Sequence, residues 1–288
     1  MEKHLLLTIG DDMSSLNGVR FAGSFFRNKA NLKLTLLYVS STFESSESKR
    51  ESQAQKAGIA LAEASRDKGI LAMEESRKLL LLRGFREDAV DLKLISKRFG
   101  TVKDIVQEAR NGLHDAAVIG RRGFAFFEKA LSSSVSREIL EQRIDFPVWI
   151  CKRPEEGRKN VLLCVDETEP SRRIADHVGF MLQGEDHSIT IFHVDDGERK
   201  DIESILAQVQ QMLMANHIPE DRIRSLVVRT PRVAAAILEE AEKGAYAVVA
   251  VGRGGSQPKG LLKKWLVGGS RSMKLLDTLE KAVLWVSK

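Results

Sequence analysis

The sequence predicts an α/β protein built as two tandem domains, each a five-stranded, parallel, doubly wound sheet. Two observations carry that expectation. The chain repeats itself in four blocks that keep their order. Short apolar, β-branched runs alternate with helical periods in each copy, which is the pattern of a parallel sheet with right-handed crossovers.

The elements follow in order. LLLTIGDDMSS (5–15) matches VLLCVDETEPS (161–171), each an apolar strand that ends in an acidic turn. The helical periods LNGVRFAGSFFRN (16–28) and SRRIADHVGFMLQG (171–184) come next. LTLLYVS (34–40) matches ITIFHVD (189–195), a second pair of strands. VKDIVQEARNGLHDAAVIGRRG (102–123) matches VAAAILEEAEKGAYAVVAVGRGG (233–255), a helix followed by a strand and glycines. The helical periods SREILEQRI (136–144) and SMKLLDTLEK (272–281) precede the last matched strands, FPVWICK (146–152) and KAVLWVSK (281–288). Such uniformly apolar strands are buried on both faces. The polar stretch RPEEGRKN (153–160) marks the boundary, giving domains 1–154 and 155–288. The first copy is about two dozen residues longer between its second and third blocks. That extra length opens with the serine-rich SSTFESSESKRES (40–52), read as a connecting loop, and continues as a long helix ending near Gly84.

Composition narrows the function classes. Hydrophobic residues make up 43% and charged residues 30%, enough apolar material for globular cores and too much for wholesale disorder. No run of apolar residues is long enough for a membrane span, and the N-terminal stretch is too short for a secretory signal, so a cytoplasmic protein is expected. Cys151 and Cys164 cannot form a disulfide framework or a four-cysteine zinc cage; Cys164 is expected in a buried strand and Cys151 partly exposed. Residues 1–154 hold 26 Lys and Arg against 20 Asp and Glu, and the rest hold 19 against 20. These charges are scattered, which does not favour nucleic acid as a partner. The histidines show no metal-ligand spacing.

Ligands of open α/β sheets sit at the carboxyl ends of the strands, where glycines admit phosphate and helix N-termini offer N–H groups. Two familiar phosphate motifs fail here. Gly255–Gly260 has the gap of a P-loop, but Leu261 stands where lysine is required. Gly252 and Gly254 begin a dinucleotide fingerprint, but Gln257 stands at its third glycine. No GxSxG elbow or HExxH pair occurs.

The strand order, VDETEPS after the first strand of copy two, His193-Val194 at the end of its second strand, and AVVAVGRGG followed by a glycine–serine pair resemble the universal stress protein family. The resemblance covers nearly the whole chain and points to the family's tandem members. It implies Rossmann-like (adenine nucleotide α-hydrolase-like) domains, binding of ATP, with or without magnesium, and frequent dimerisation. The family motif is Gly, two residues, Gly, nine residues, Gly, then Ser or Thr. Copy two carries Asp166 in the acidic position, Gly252-Arg253-Gly254-Gly255, then twelve residues before Gly268-Gly269-Ser270. The longer loop brings Lys259, Lys263 and Lys264, cations suited to phosphate. Copy one reads Gly120-Arg121-Arg122-Gly123, nine residues, then Ser133-Ser134, with serine in place of the third glycine and Gly10 in the acidic position ahead of Asp11 and Asp12. The resemblance assigns the adenine to backbone groups at Val194, or Val39 in copy one. His193 is expected to be an oriented core histidine. The matching Trp149 and Trp285 lie on the last strands, which in related dimers join subunits; here the two copies can satisfy that contact within one chain, as a pseudo-dimer.

The function expected is therefore a stress-response protein whose C-terminal domain binds an adenine nucleotide and acts as a sensor or regulator, with an unidentified protein partner. Slow ATP hydrolysis or autophosphorylation near Ser270 is compatible with it. The alternative is a scaffold that binds partners without nucleotide and keeps relic motifs. An adenylating enzyme is disfavoured, because GDDMSS and DETEPS lack the glycine-rich pyrophosphate loop of such enzymes.

Overall fold

Strands form where the apolar, β-branched runs were found, and helices fill the amphipathic stretches between them. The computed structural model describes residues 1–10, 16–41, 53–120, 144–195, 197, 201–252 and 278–287. The chain divides into two compact units, residues 1–23 with 29–143, and residues 24–28 with 144–288.

The first unit contains β1 (Lys3–Ile9), α1 (Leu16–Phe25, whose end belongs to the second unit), β2 (Leu32–Ser40), α2 (Gln53–Leu82), β3 (Val90–Ser96), α3 (Thr101–Asn111) and β4 (Ala116–Gly120). Its strands run in the order β3-β2-β1-β4, all parallel. β1 pairs along its whole length with β2, from Lys3 opposite Leu32 to Ile9 opposite Tyr38. The extra length of this repeat is α2, 30 residues long where the equivalent helix of the second repeat has 14. Its C-terminal half packs on β2 through Gly69, where a β-carbon would stand 2.4 Å from the Tyr38 ring. The serine-rich stretch lies outside the described residues, apart from its first two positions.

The second unit contains β5 (Val148–Cys151), β6 (Val161–Cys164), α4 (Glu169–Leu182), β7 (Ile189–Asp195), α5 (Ile202–Ala215), β8 (Ile223–Arg229), α6 (Val233–Lys243), β9 (Val248–Gly252) and β10 (Val283–Ser287). The strand order is β5-β10-β9-β6-β7-β8. All these pairs are parallel except β5 with β10, which is antiparallel. The last strands of the two repeats thus pair with one another, as the resemblance implied, and Trp149 stands directly opposite Trp285. Their rings stack at 4.0 Å and 5°. Phe26 stacks on Trp149 and Phe25 meets Trp285 edge-on. Residues 27 and 28 are held by Glu185, whose carboxylate accepts the backbone N–H of Arg27 at 2.9 Å and of Asn28 at 3.2 Å.

The repeats share local geometry as well as sequence. After α3 and after α6 the chain passes through a left-handed residue, Leu113 (φ 50°) and Ala245 (φ 47°). In both places the next N–H, of His114 or Tyr246, returns to a helix carbonyl, of Ala109 or Ala241. This closure satisfies carbonyls that the helix end would leave unpaired. The helical periods expected before the last strands lie outside the described residues at 136–143 and 272–277. Among the described residues no helix is long and apolar enough to cross a membrane.

Four histidines are packed into these units in neutral form. Burial pushes His177 down to about 3 and His187 to about 4, and lowers His4 to about 4 and His114 as well. His177 accepts a hydrogen bond from Trp149 Nε1 at 3.0 Å. The unfolded chain charges these imidazoles near 6.5, so between about pH 6.5 and 4 it binds more protons than the folded chain. Stability is therefore complete at neutral pH and falls as pH drops through that window. Urea midpoints measured from pH 7 to 4 are expected to decline steadily below pH 6.5; a flat profile would contradict the neutral, buried state of these rings.

Candidate functional site

The strand order of the second unit places its switch point between β6 and β9, since the crossovers from β6 and from β9 leave on opposite sides. Asp166 follows β6 and Gly252 ends β9, so two sequence-selected residues reach this point together.

Asp166 shapes the turn from β6 into α4. Its N–H donates to Ser171 Oγ at 2.9 Å. Its Oδ1 accepts the Thr168 N–H at 2.9 Å and the Thr168 hydroxyl. Thr168 precedes the first turn of α4, and Pro170 lies within that turn, where its missing N–H and fixed φ suit a helix start. The same residues that resemble a family signature are thus a self-consistent Asx turn and helix start. Gly252 packs against this start: a β-carbon there would lie 2.5 Å from both the Pro170 carbonyl carbon and the Ser171 nitrogen.

Beside the turn lies a cavity of about 410 Å³. Asp166, Glu167 and Arg172 line one side of it, and α5 lines the other with Ser204, Ile205, Gln208 and Val209, preceded by Asp201. Asp201 starts α5, accepting the Ser204 N–H at 3.1 Å, and Gln208 donates to the Ser204 hydroxyl at 3.1 Å. Arg172 is tied to Glu169 at 3.4 Å. Three carboxylates and one guanidinium therefore face a space with an apolar floor at Ile205 and Val209. That lining suits a ligand portion rich in hydroxyl or N–H donors. Among the described residues no three His, Cys, Asp or Glu side chains converge as a metal site.

The other sequence-selected residues are dispersed. Val194 is buried on β7 opposite Val228 and does not line the cavity. His193 is 1% exposed, its Nδ1 2.9 Å from the Val165 carbonyl, while Nε2 has no partner among the described residues. Arg253, Gly255, Gly268, Gly269 and Ser270 lie outside the described residues, as do Lys259, Lys263 and Lys264. In the first repeat, Gly120 is buried at the end of β4 and Val39 stands on β2 opposite Ile95, while Asp11, Gly123, Ser133 and Ser134 lie outside the described residues. Sequence reasoning missed Arg172, Asp201, Ser204 and Gln208. Asp201 had a readable signal, an aspartate three residues before Ser204 at the start of an amphipathic run.

Both thiols are corrected or confirmed by burial. Cys164 is buried in β6, as expected. Cys151, expected partly exposed, is fully buried on β5, which pairs with β10 rather than ending at the surface. Burial pushes both thiols well above their ordinary range, which removes the thiolate a redox role needs.

Known proteins share this architecture. A universal stress protein from Archaeoglobus fulgidus DSM 4304 is 17% identical, with 99% of this chain and 96% of that chain covered and a TM-score of 0.66. A universal stress protein from Pseudomonas aeruginosa UCBPP-PA14 is 12% identical over 100% of this chain and 93% of that chain, with a TM-score of 0.48. A family protein from Arabidopsis thaliana, solved with AMP bound, is 15% identical over 52% of this chain and 92% of its own, with a TM-score of 0.36. No curated protein matches the sequence. The sequence profile of the universal stress protein family matches residues 1–152 and again residues 157–287. One profile satisfied twice by a chain of repeated α/β units leaves a plain conclusion: this chain belongs to the universal stress protein family, in its tandem form.

Proposed function

We propose that the second repeat binds an adenine nucleotide in the cleft beside Asp166, and that the protein acts in the cytoplasm as a nucleotide-dependent sensor or regulator of a stress response. The observation that carries this reading is the cavity of about 410 Å³ between the start of α4 and α5, with Asp166 on its wall where the chain leaves β6. Its size suits a nucleoside, and small-molecule sites of this class are clefts of a few hundred Å³. Asp166 and Asp201 offer acceptors to ribose hydroxyls or to the exocyclic amine, and Ile205 and Val209 offer an apolar surface to the base. The lining is acidic, so the phosphates belong outside it, with the glycines and lysines that follow Gly252 in sequence and with magnesium offsetting their charge when bound. Occupancy, and not turnover, is the output in this reading. The first repeat, with serine at the third glycine and Gly10 in the acidic position, serves as a structural or partner-binding copy.

Substituting Asp166→Ala is expected to weaken ATP binding about tenfold, the effect of losing one hydrogen bond to a charged acceptor. Thr168→Ala is the control, since it removes a hydroxyl from the same turn and leaves the carboxylate. Calorimetric titration of both variants checks the assignment. Equal weakening in both would reduce Asp166 to a turn residue, and wild-type affinity in Asp166→Ala would remove it from the site. Absence of any binding in the parent protein would leave the scaffold reading in front.

A further inference from the structure

The cleft beside Asp166 holds a cation that its own helix does not need. Among the described residues that line the cavity, Asp166, Glu167 and Asp201 carry acidic side chains, and Arg172 alone carries a basic one. Arg172 is the fourth residue of α4, at the helix end where a cation is electrostatically disfavoured. Helix stability therefore gives no reason for an arginine there. Among the described residues its side chain makes one hydrogen bond, from Nε to Glu169 at 3.4 Å, and the two terminal nitrogens of the guanidinium are left open. The two side chains are 43% and 60% exposed, so this pair contributes little to stability. Glu169 is also held by Arg173, whose Nε reaches its other carboxylate oxygen at 3.3 Å. Glu169 thus keeps a cation when Arg172 lets go.

The place of Arg172 in the chain says what else it serves. It follows directly on Pro170 and Ser171, against which Gly252 packs. The same residue therefore belongs to the cavity wall and to the stretch of α4 that meets the end of β9. An open guanidinium fork matches a phosphate bidentately and gains no ion pair from a neutral nucleoside. We propose, resting on the nucleotide reading of this cleft, that Arg172 sets its preference for phosphorylated over unphosphorylated adenosine. Arg172 leaves Glu169 and takes the phosphate nearest the ribose, and Glu169 competes with that phosphate for the guanidinium.

Calorimetric titration of adenosine and of AMP into the nucleotide-free full chain tests it. The parent is expected to bind AMP more tightly than adenosine. In Arg172→Ala that preference is expected to shrink about tenfold, the effect of losing hydrogen bonds to a charged group. Glu169→Gln removes the competitor and is expected to raise the preference about two- to fivefold, the range of an exposed ion pair. Arg173→Ala, the same loss of charge one position on, is expected to change it by less than about twofold. All three side chains are exposed, so the variants are expected to fold, which urea midpoints check. Equal binding of AMP and adenosine by the parent, an unchanged preference in Arg172→Ala, an equal loss in Arg173→Ala, or a lowered preference in Glu169→Gln would each overturn the proposal and leave the cleft assigned. Weakening of adenosine and AMP alike in Arg172→Ala would reduce Arg172 to a wall residue and overturn it as well. A parent that binds neither compound removes the nucleotide reading of the cleft, and this proposal with it.

Discussion

Gly252→Val is expected to destabilise the second unit severely, by about 3 kcal/mol or more, before any ligand is considered. The reason is the packing of β9 on the start of α4. A β-carbon at residue 252 would stand 2.5 Å from the Pro170 carbonyl carbon and the Ser171 nitrogen. These are backbone atoms of a turn fixed by Asp166, Thr168 and Ser171, so no flexible side chain can move aside. Gly252→Ala already introduces the clash, and its denaturation midpoint is expected to fall clearly below that of the parent. Parent-like stability in Gly252→Ala would contradict the close approach. A practical consequence follows for ligand studies. Lost nucleotide binding in a Gly252 variant reports a damaged helix start as readily as a blocked phosphate, so the cleft is better probed from α5.

Trp285→Ala is expected to cost about 3–5 kcal/mol, the range for deleting a fully buried aromatic side chain. Trp149 and Trp285 are both 0% exposed and stack face to face across the antiparallel β5–β10 pair. Phe25 and Phe26 close on the same pair, so truncating either tryptophan opens a cavity in a core that cannot collapse around it. Urea unfolding of Trp149→Ala, Trp285→Ala and the double variant should show a coupling of about 0.5–1.5 kcal/mol for the stacked rings. A loss below about 1 kcal/mol in either single variant would mean that the pair is not the centre of this core.

Much of this architecture was legible in the residues, for a physical reason. Parallel strands buried on both faces must be apolar throughout, so AAVIG and VVAVG announce themselves, and the repeat doubles every signal. The correspondence of Trp149 and Trp285 was visible too, because each closes its repeat in the same way. Asp166 was legible through its turn chemistry and its family resemblance. Other features depend on what folds beside them. Asp201, Ser204 and Gln208 come from α5, whose polar residues look like any solvated helix face until the helix is set against the turn at Asp166. Gly252 was read as a phosphate glycine, and its clash with α4 supplies a packing reason that no local pattern contains. Cys151 was expected near the surface because it ends its strand, yet pairing of β5 with β10 buries it.

The central claim is that one nucleotide binds in the second repeat, against Asp166 and α5. Calorimetric titration of magnesium ATP into the nucleotide-free full chain, alongside Ser204→Trp, tests it most directly. Ser204 lies on the cavity wall in the first turn of α5, so an indole there fills the space without touching a strand. The account predicts about one site per chain in the parent and none in Ser204→Trp. Binding that survives the filled cavity, a second equivalent site in the first repeat, or no binding at millimolar ATP would contradict it.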